Sequence, residues 1–288
     1  MSRFQIAYID ILKSYYEKGS KPERKYELFL NTKVIRDIFL EFVETISEIG
    51  VDYAEVLTDF FETAYNQLTC IKTFEPNANS VYGDELDVFK NLMWELFICV
   101  IAFMRHIKDY LAINTMLTHT YFLETSIFGN SIKQNNYTAF RHHSQVVEEY
   151  YKPNTDMKNK FTLMGHVICN QRERLPIYTS EAIAEADLFL YQVCNAYELT
   201  EEENSWRESY WFPTFYVYAK NSPIEWKKMK SRKFCEKMMV LFGVNNIEEL
   251  KNVVGKCVYD NRMKYSGSWD AAPAILSYIK VDEIGTLN

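Results

Sequence analysis

The sequence predicts an all-α protein, a multi-helix bundle or irregular helical array of about ten helices with a more loop-rich middle. Three observations carry this. The chain has 9 glycines and 7 prolines in 288 residues, fewer than a many-stranded sandwich or barrel needs for its turns. Apolar residues recur with helical spacing over long stretches. Helix start signals, such as Asp or Asn before an apolar run, repeat along the chain.

The elements follow in order. Phe4, Ile6, Ile9, Leu12 and Tyr15 share helical spacing, and Gly19 supplies a stop. Pro22 opens a segment over 23–30 as a first-turn proline. Asn31 and Thr32 separate it from a helix over 34–49, which Gly50 ends. Asp52 caps the next, through Leu57, Phe60, Phe61 and Leu68. A loop occupies 75–83. Asp84 then caps a long helix to about residue 110, with Asp87 adding negative charge to its first turn. Further helix is expected to about residue 128. Helices are expected around 140–151 and 156–172 within a polar stretch, 129–179. In the last third, Ser180 caps a helix to about 198, and Thr200 and Glu203 have capping-box spacing. Ser222-Pro223-Ile224-Glu225 opens a helix running to Gly243. Asn246 and Glu249 start another to about 264, and a last helix is read over 271–279. The division this suggests is an N-terminal bundle (1–128), a His/Arg-containing segment (129–179) and a C-terminal helical region (180–288), in one continuous domain or several.

Composition limits function. The net charge is −7 and the sequence pI about 5.4, which implies no general affinity for nucleic acid or anionic lipid. The charge is uneven: residues 220–264 hold 11 basic and 5 acidic residues, a net of +6. Residues 181–208 hold one arginine and eight acids, a net of −7. The six cysteines are widely spaced among apolar neighbours, without a CxxC pair, which reads as reduced thiols in a cytosolic protein. The most apolar stretch, 91–104, contains Glu95 and is too short to span a bilayer, so no membrane association is expected.

All five histidines lie between His106 and His166, in company with Arg141, Arg172 and Arg174. Imidazole is the side chain suited to proton transfer near neutral pH. Arg141, His142, His143, His166 and Arg172 are therefore the candidate catalytic residues. They do not form a familiar signature. All-α ribonucleases of the HEPN type place an arginine several residues before a histidine. Here Arg105 abuts His106, Arg141 abuts His142, and His166 precedes Arg172. Neither Glu-x-x-His nor His-Glu-x-x-His occurs, so no metal site and no cofactor is expected. His166 and Cys169, three apart on an expected helix, have a spacing too common to mark a nucleophile and its base.

The second candidate is a basic helix. Lys227, Lys228, Lys230, Arg232 and Lys233 cluster between Pro223 and Gly243, with Ile224, Met229, Phe234, Met238 and Leu241 available to face a core. Upstream runs an aromatic stretch from Trp206 through Tyr210, Trp211, Phe212 and Phe215 to Tyr218. These lysines and arginine are the candidate partner-binding residues, for a protein partner or a second copy; nucleic acid is less favoured by the acidic chain. The richness in Tyr, Phe, Asn, Lys and Ile is similar to that of helical proteins from AT-rich bacterial or mobile-element genomes. The leading expectation is a cytosolic helical protein-interaction module or assembly subunit, of the kind found in bacterial antiviral defence. The alternative is a hydrolase or nuclease using the His/Arg-rich segment 106–174.

Overall fold

The computed structural model describes residues 3–49, 52–154, 163–172, 176–197, 211–216, 223–257 and 272–287. Among them are eleven α-helices and one two-stranded sheet, so the fold is all-α. The helices are α1 (Arg3–Lys13), α2 (Pro22–Asn31), α3 (Lys33–Glu48), α4 (Tyr53–Leu68), α5 (Asp87–Ile107), α6 (Tyr110–Thr118), α7 (Leu163–Gln171), α8 (Ser180–Ala196), α9 (Ile224–Lys228), α10 (Arg232–Phe242) and α11 (Ile247–Gly255).

Helix α5 is the axis. Its 21 residues include an unbroken buried run from Asn91 to Arg105. A helix apolar on every side needs neighbours on every side, and α2, α3, α4, α6 and α8 all pack on it. Each large apolar side chain so enclosed stabilises the fold by about 1.5–3 kcal/mol. The helix ends where Lys108 takes a left-handed conformation, φ 63°. Asp109 then caps α6 by accepting a hydrogen bond from the Ala112 amide at 3.0 Å.

Two buried ion networks fasten other elements to this axis. Glu95 of α5 contacts Arg36 of α3 at 2.9 Å and Arg172, just past α7, at 2.7 Å, and all three side chains are 0% exposed. Arg172 also lies over the Phe29 ring and donates to the Phe29 and Leu30 carbonyls at the end of α2. Toward the other end of α5, Arg105 holds Glu225 of α9 through two hydrogen bonds of 2.8 and 2.9 Å.

Several elements differ from their sequence reading. Asp84 does not cap α5; it pairs with the buried Lys25 at 3.0 Å, and the helix begins at Asp87. The helix expected up to residue 128 stops at Thr118, and a hairpin follows, β1 (Tyr121–Glu124) with antiparallel β2 (Ile132–Asn135). Gly129 and Asn130, both at positive φ, make its turn. The free edge of β1 is satisfied by α4: Asn66 donates to the Phe122 carbonyl and accepts from the Glu124 amide. Residues 140–151 are not one helix but a 3-10 turn, an extended stretch over 141–144 and a π-helical turn over Val147–Tyr151. Thr179 caps α8, while the Ser180 hydroxyl donates to the Cys169 carbonyl. The helix read from Pro223 to Gly243 breaks at 229–231 into α9 and α10. The last expected helix shrinks to a 3-10 turn at Ile275–Ser277. The Thr200/Glu203 box, Ser222, Trp206, Tyr210, Tyr218, Arg174 and all of 156–162 lie outside the described residues.

One apolar cluster includes Tyr8, Val147, Leu188 and Ile284, residues of all three sequence stretches. All six cysteines are buried, and none is in a disulfide. No helix among the described residues is long and apolar enough to cross a membrane.

Candidate functional site

The structure separates the five candidate catalytic residues into two groups. Arg141, His142 and His143 lie together on the extended stretch after the 3-10 turn Tyr137–Phe140. Arg172 is committed to the buried contact with Glu95, and His166 shares a 2.6 Å hydrogen bond through Nδ1 with the Tyr151 hydroxyl. Neither of these two lines the cleft formed by the first group. Of the remaining histidines, His106 is exposed at the end of α5, and His119 packs edge-on against Tyr121.

The first group is held by Asp87, the first residue of α5. One carboxylate oxygen accepts from His142 Nε2. The other accepts from the Ser144 hydroxyl and from the Val146 amide, each at 2.9 Å. Ser144 Oγ in turn accepts from Asn91 Nδ2 at 2.8 Å. Asp87 and Asn91 stand one helical turn apart, so one face of α5 positions the whole stretch. Burial alone raises a carboxyl, yet these donors hold Asp87 below its ordinary value. Burial also pushes the His142 imidazole down, against the pull of Asp87. The resulting state is an ionised Asp87 accepting from a neutral His142.

This arrangement fixes the chemistry available. In a serine nucleophile triad the histidine stands between hydroxyl and carboxylate. Here the carboxylate stands between histidine and hydroxyl, and the Ser144 proton is already given to Asp87, so Ser144 is not an activated nucleophile. With Nε2–H directed at Asp87, His142 keeps Nδ1 as its proton acceptor.

Arg141 completes the cleft. Its guanidinium lies over the Phe212 ring at 5.7 Å. Its Nε is buried without a hydrogen-bond partner. Burial lowers its pKa, and the nearby Asp187 opposes that. Asp187 is itself fully enclosed in α8, accepting from Trp211 Nε1 at 2.8 Å and the Phe215 amide at 2.7 Å. The cleft is about 110 Å³ and is completed by Trp94, Glu148, Met164 and Thr214.

The basic cluster is a second, larger concavity of about 480 Å³. Lys227, Lys228, Lys230, Lys233 and Lys237 surround it, with Phe234 and Leu287 supplying apolar surface. Arg232 does not join them and lines a neighbouring hollow with Glu236 and Glu248. Met229, Met238 and Leu241 are buried, in agreement with their spacing; Ile224 instead is 50% exposed. Lys230 pairs with Glu283 at 2.9 Å, and Lys228 lies over the Phe234 ring at 6.0 Å. Lys227, Lys233 and Lys237 have no acidic partner among the described residues. The C-terminal segment carries no sequence signal for its part here: Leu287 donates to the Lys230 carbonyl and accepts from the Arg232 amide, which builds one wall of the groove.

No group of three or more His, Cys, Asp or Glu side chains placed to hold a metal ion occurs among the described residues. Neither protein-family models, nor curated proteins, nor solved structures give a match to this chain.

Proposed function

We propose that the protein is a docking module whose lysine-rimmed groove on α9, α10 and the C-terminal segment takes an acidic, amphipathic segment of a partner protein. The observation that carries this reading is the pairing of apolar surface with unneutralised charge. Phe234 and Leu287 offer contact area in the groove, while Lys227, Lys233 and Lys237 have no carboxylate within ion-pair distance among the described residues. An acidic segment supplies the counter-charge, and its apolar residues cover the ring and the leucine. The groove rests on a fixed base. Trp226 of α9 is fully buried, stacks on Phe189 and donates to Gln192 of α8 at 2.5 Å.

The test is reversal of the field. Changing Lys227, Lys228, Lys230 and Lys233 to Glu shifts the local charge by eight units, from four cations to four anions. Surface substitutions typically alter stability by within about 0.5 kcal/mol each, and Lys230→Glu also replaces the pair with Glu283 by a like-charge contact, so the variant loses up to about 2–3 kcal/mol. Its melting curve is recorded first, and binding is compared where both proteins are folded. Binding of a fluorescent Glu/Leu amphipathic peptide, followed by anisotropy, is expected to fall more than about tenfold and to weaken with salt in the wild type. Equal binding by both proteins refutes the reading.

A further inference from the structure

We infer that the cleft at Arg141, His142 and His143 is a binding site for a small tetrahedral oxyanion of the phosphate class, with Arg141 as its charged anchor. The site is distinct from the lysine groove and does not depend on it.

The first argument is electrostatic accounting. A buried guanidinium normally carries hydrogen bonds or an ion pair, because an unpaired buried charge is costly. The buried arginines obey this: Arg36 and Arg172 share Glu95, and Arg105 holds Glu225; Arg141 is half-buried, with its Nε enclosed. Arg141 makes no side-chain hydrogen bond or ion pair among the described residues, and its Nε is enclosed without an acceptor. Its one attractive contact is the Phe212 ring, which holds the guanidinium plane but leaves its donors unused.

The surrounding acids do not fill that role, since each is already engaged. Asp87 accepts from His142, Ser144 and Val146. Glu148 pairs with Lys152 at 2.8 Å, one turn along. Asp187 accepts from Trp211 and Phe215 and stands beyond ion-pair distance from Arg141.

Size and rigidity agree. A cavity of about 110 Å³ has room for a tetrahedral oxyanion. The stretch carrying Arg141 and both histidines is pinned by Asp87 at its centre, so the donors are set before a ligand arrives. A π-helical turn adjoins it, a local distortion common beside ligand sites. The guanidinium is the donor suited to phosphoryl oxygens, since its planar fork gives paired hydrogen bonds; His142, whose N–H goes to Asp87, orders the stretch and is not counted among the donors.

The probes are inorganic phosphate and phenyl phosphate, titrated calorimetrically in low-salt buffer free of other oxyanions. The first reads the free anion, the second the phosphoryl end of a larger molecule. Saturable binding of at least one is expected, weakened about tenfold or more by Arg141→Gln and by Arg141→Ala. The lysine-groove variant should bind as wild type. Arg141→Gln keeps a side-chain donor beside Phe212, so a folded variant remains for measurement if the alanine form is unstable; melting curves of both are recorded first. Absence of saturable binding below about 10 mM by the wild type overturns the proposal, as does a loss of less than about tenfold in the folded Arg141 variants. So does dependence on the lysine groove instead.

Discussion

Replacing Glu95 by Gln removes the negative centre of the Arg36–Glu95–Arg172 network while nearly preserving its shape. The wild-type contacts are 2.9 and 2.7 Å, and all three side chains are 0% exposed. The substitution leaves two guanidinium groups enclosed at one site, beside a neutral amide in place of the carboxylate. Arg36 keeps its contact with Asp37 at 2.8 Å, and Arg172 keeps its carbonyl and hydroxyl partners on α2 and Thr32. Breaking a buried pair by deleting one partner costs about 3–5 kcal/mol. Globular proteins have about 5–15 kcal/mol in total, so this variant loses about a fifth or more of its stability. With a urea slope of about 3 kcal/mol/M, the unfolding midpoint falls by about 1–1.7 M. A triple variant, Arg36→Met, Glu95→Leu, Arg172→Met, removes all three charges together, which is often nearly neutral. Here recovery is partial, because Arg172 also satisfies the Phe29 and Leu30 carbonyls at the end of α2. The expected order is wild type, then triple variant, then Glu95→Gln. A midpoint for Glu95→Gln within about 0.3 M of wild type (about 1 kcal/mol at that slope), or a triple variant less stable than the single one, refutes the reasoning.

The six buried thiols predict that native protein reacts with a thiol-specific disulfide reagent at none of its cysteines within minutes, while anaerobically purified, denatured protein titrates all six. Asp187 is pushed up to about 7 by burial, against the pull of the Phe215 amide and the Trp211 indole. Because the folded value lies above the unfolded one, its favourable contribution is complete below about pH 4 and is lost as pH rises through 7. The Trp211 indole Nε1–H resonance should therefore titrate with a midpoint near 7, and an unchanged shift from about pH 5 to 8 contradicts the assignment. Gly285 has φ +69°, and a Cβ there would lie 3.0 Å from Ile247 Cδ1, whereas Gly243 at φ +62° faces open space. Gly243→Ala should cost about 1 kcal/mol and Gly285→Ala at least about 2 kcal/mol, measured by urea unfolding; equal costs would show that Ile247 yields freely.

Local signals are legible in the sequence and non-local ones are not. Asn246 caps α11 by accepting from the Glu249 amide, an interaction decided within four residues. Gly243 ends α10 for the same reason, in a left-handed conformation glycine adopts freely. Glu225 has capping spacing, yet its carboxylate goes to Arg105, 120 residues away. Asp87 reads in the sequence as favourable first-turn charge, and its larger part is to accept from three groups on 142–146. Tyr121–Glu124 is too short an apolar run for periodicity to decide helix or strand; the choice falls to strand because Asn66 and Glu62 of α4 meet its backbone. The histidine clustering locates the cleft segment, but proximity in sequence cannot separate Arg141–His143 from His166 and Arg172. The latter two are drawn off by Tyr151 and Glu95, partners the sequence does not announce.

The basic helix illustrates how tertiary contact converts a solvated face into a shaped one. As one continuous helix from Pro223 to Gly243, its lysines would spread around a cylinder at about 100° per residue. The break at 229–231 prevents this. The Met229 and Lys230 carbonyls accept from Gly285 and Leu287, and the Arg232 amide donates to Leu287, so the C-terminal segment is stitched into the gap. Lysines of α9 and α10 then line one groove instead of following one axis. Trp226 and the Arg105–Glu225 pair tie α9 to the interior, and the buried Met238 and Leu241 tie α10 to it. A ligand meeting such a groove orders little of the backbone, which lowers the entropic cost of association. The lysine side chains remain the mobile part. Affinity for an acidic segment should accordingly depend on salt through those lysines, and on Phe234 and Leu287 at all salt concentrations.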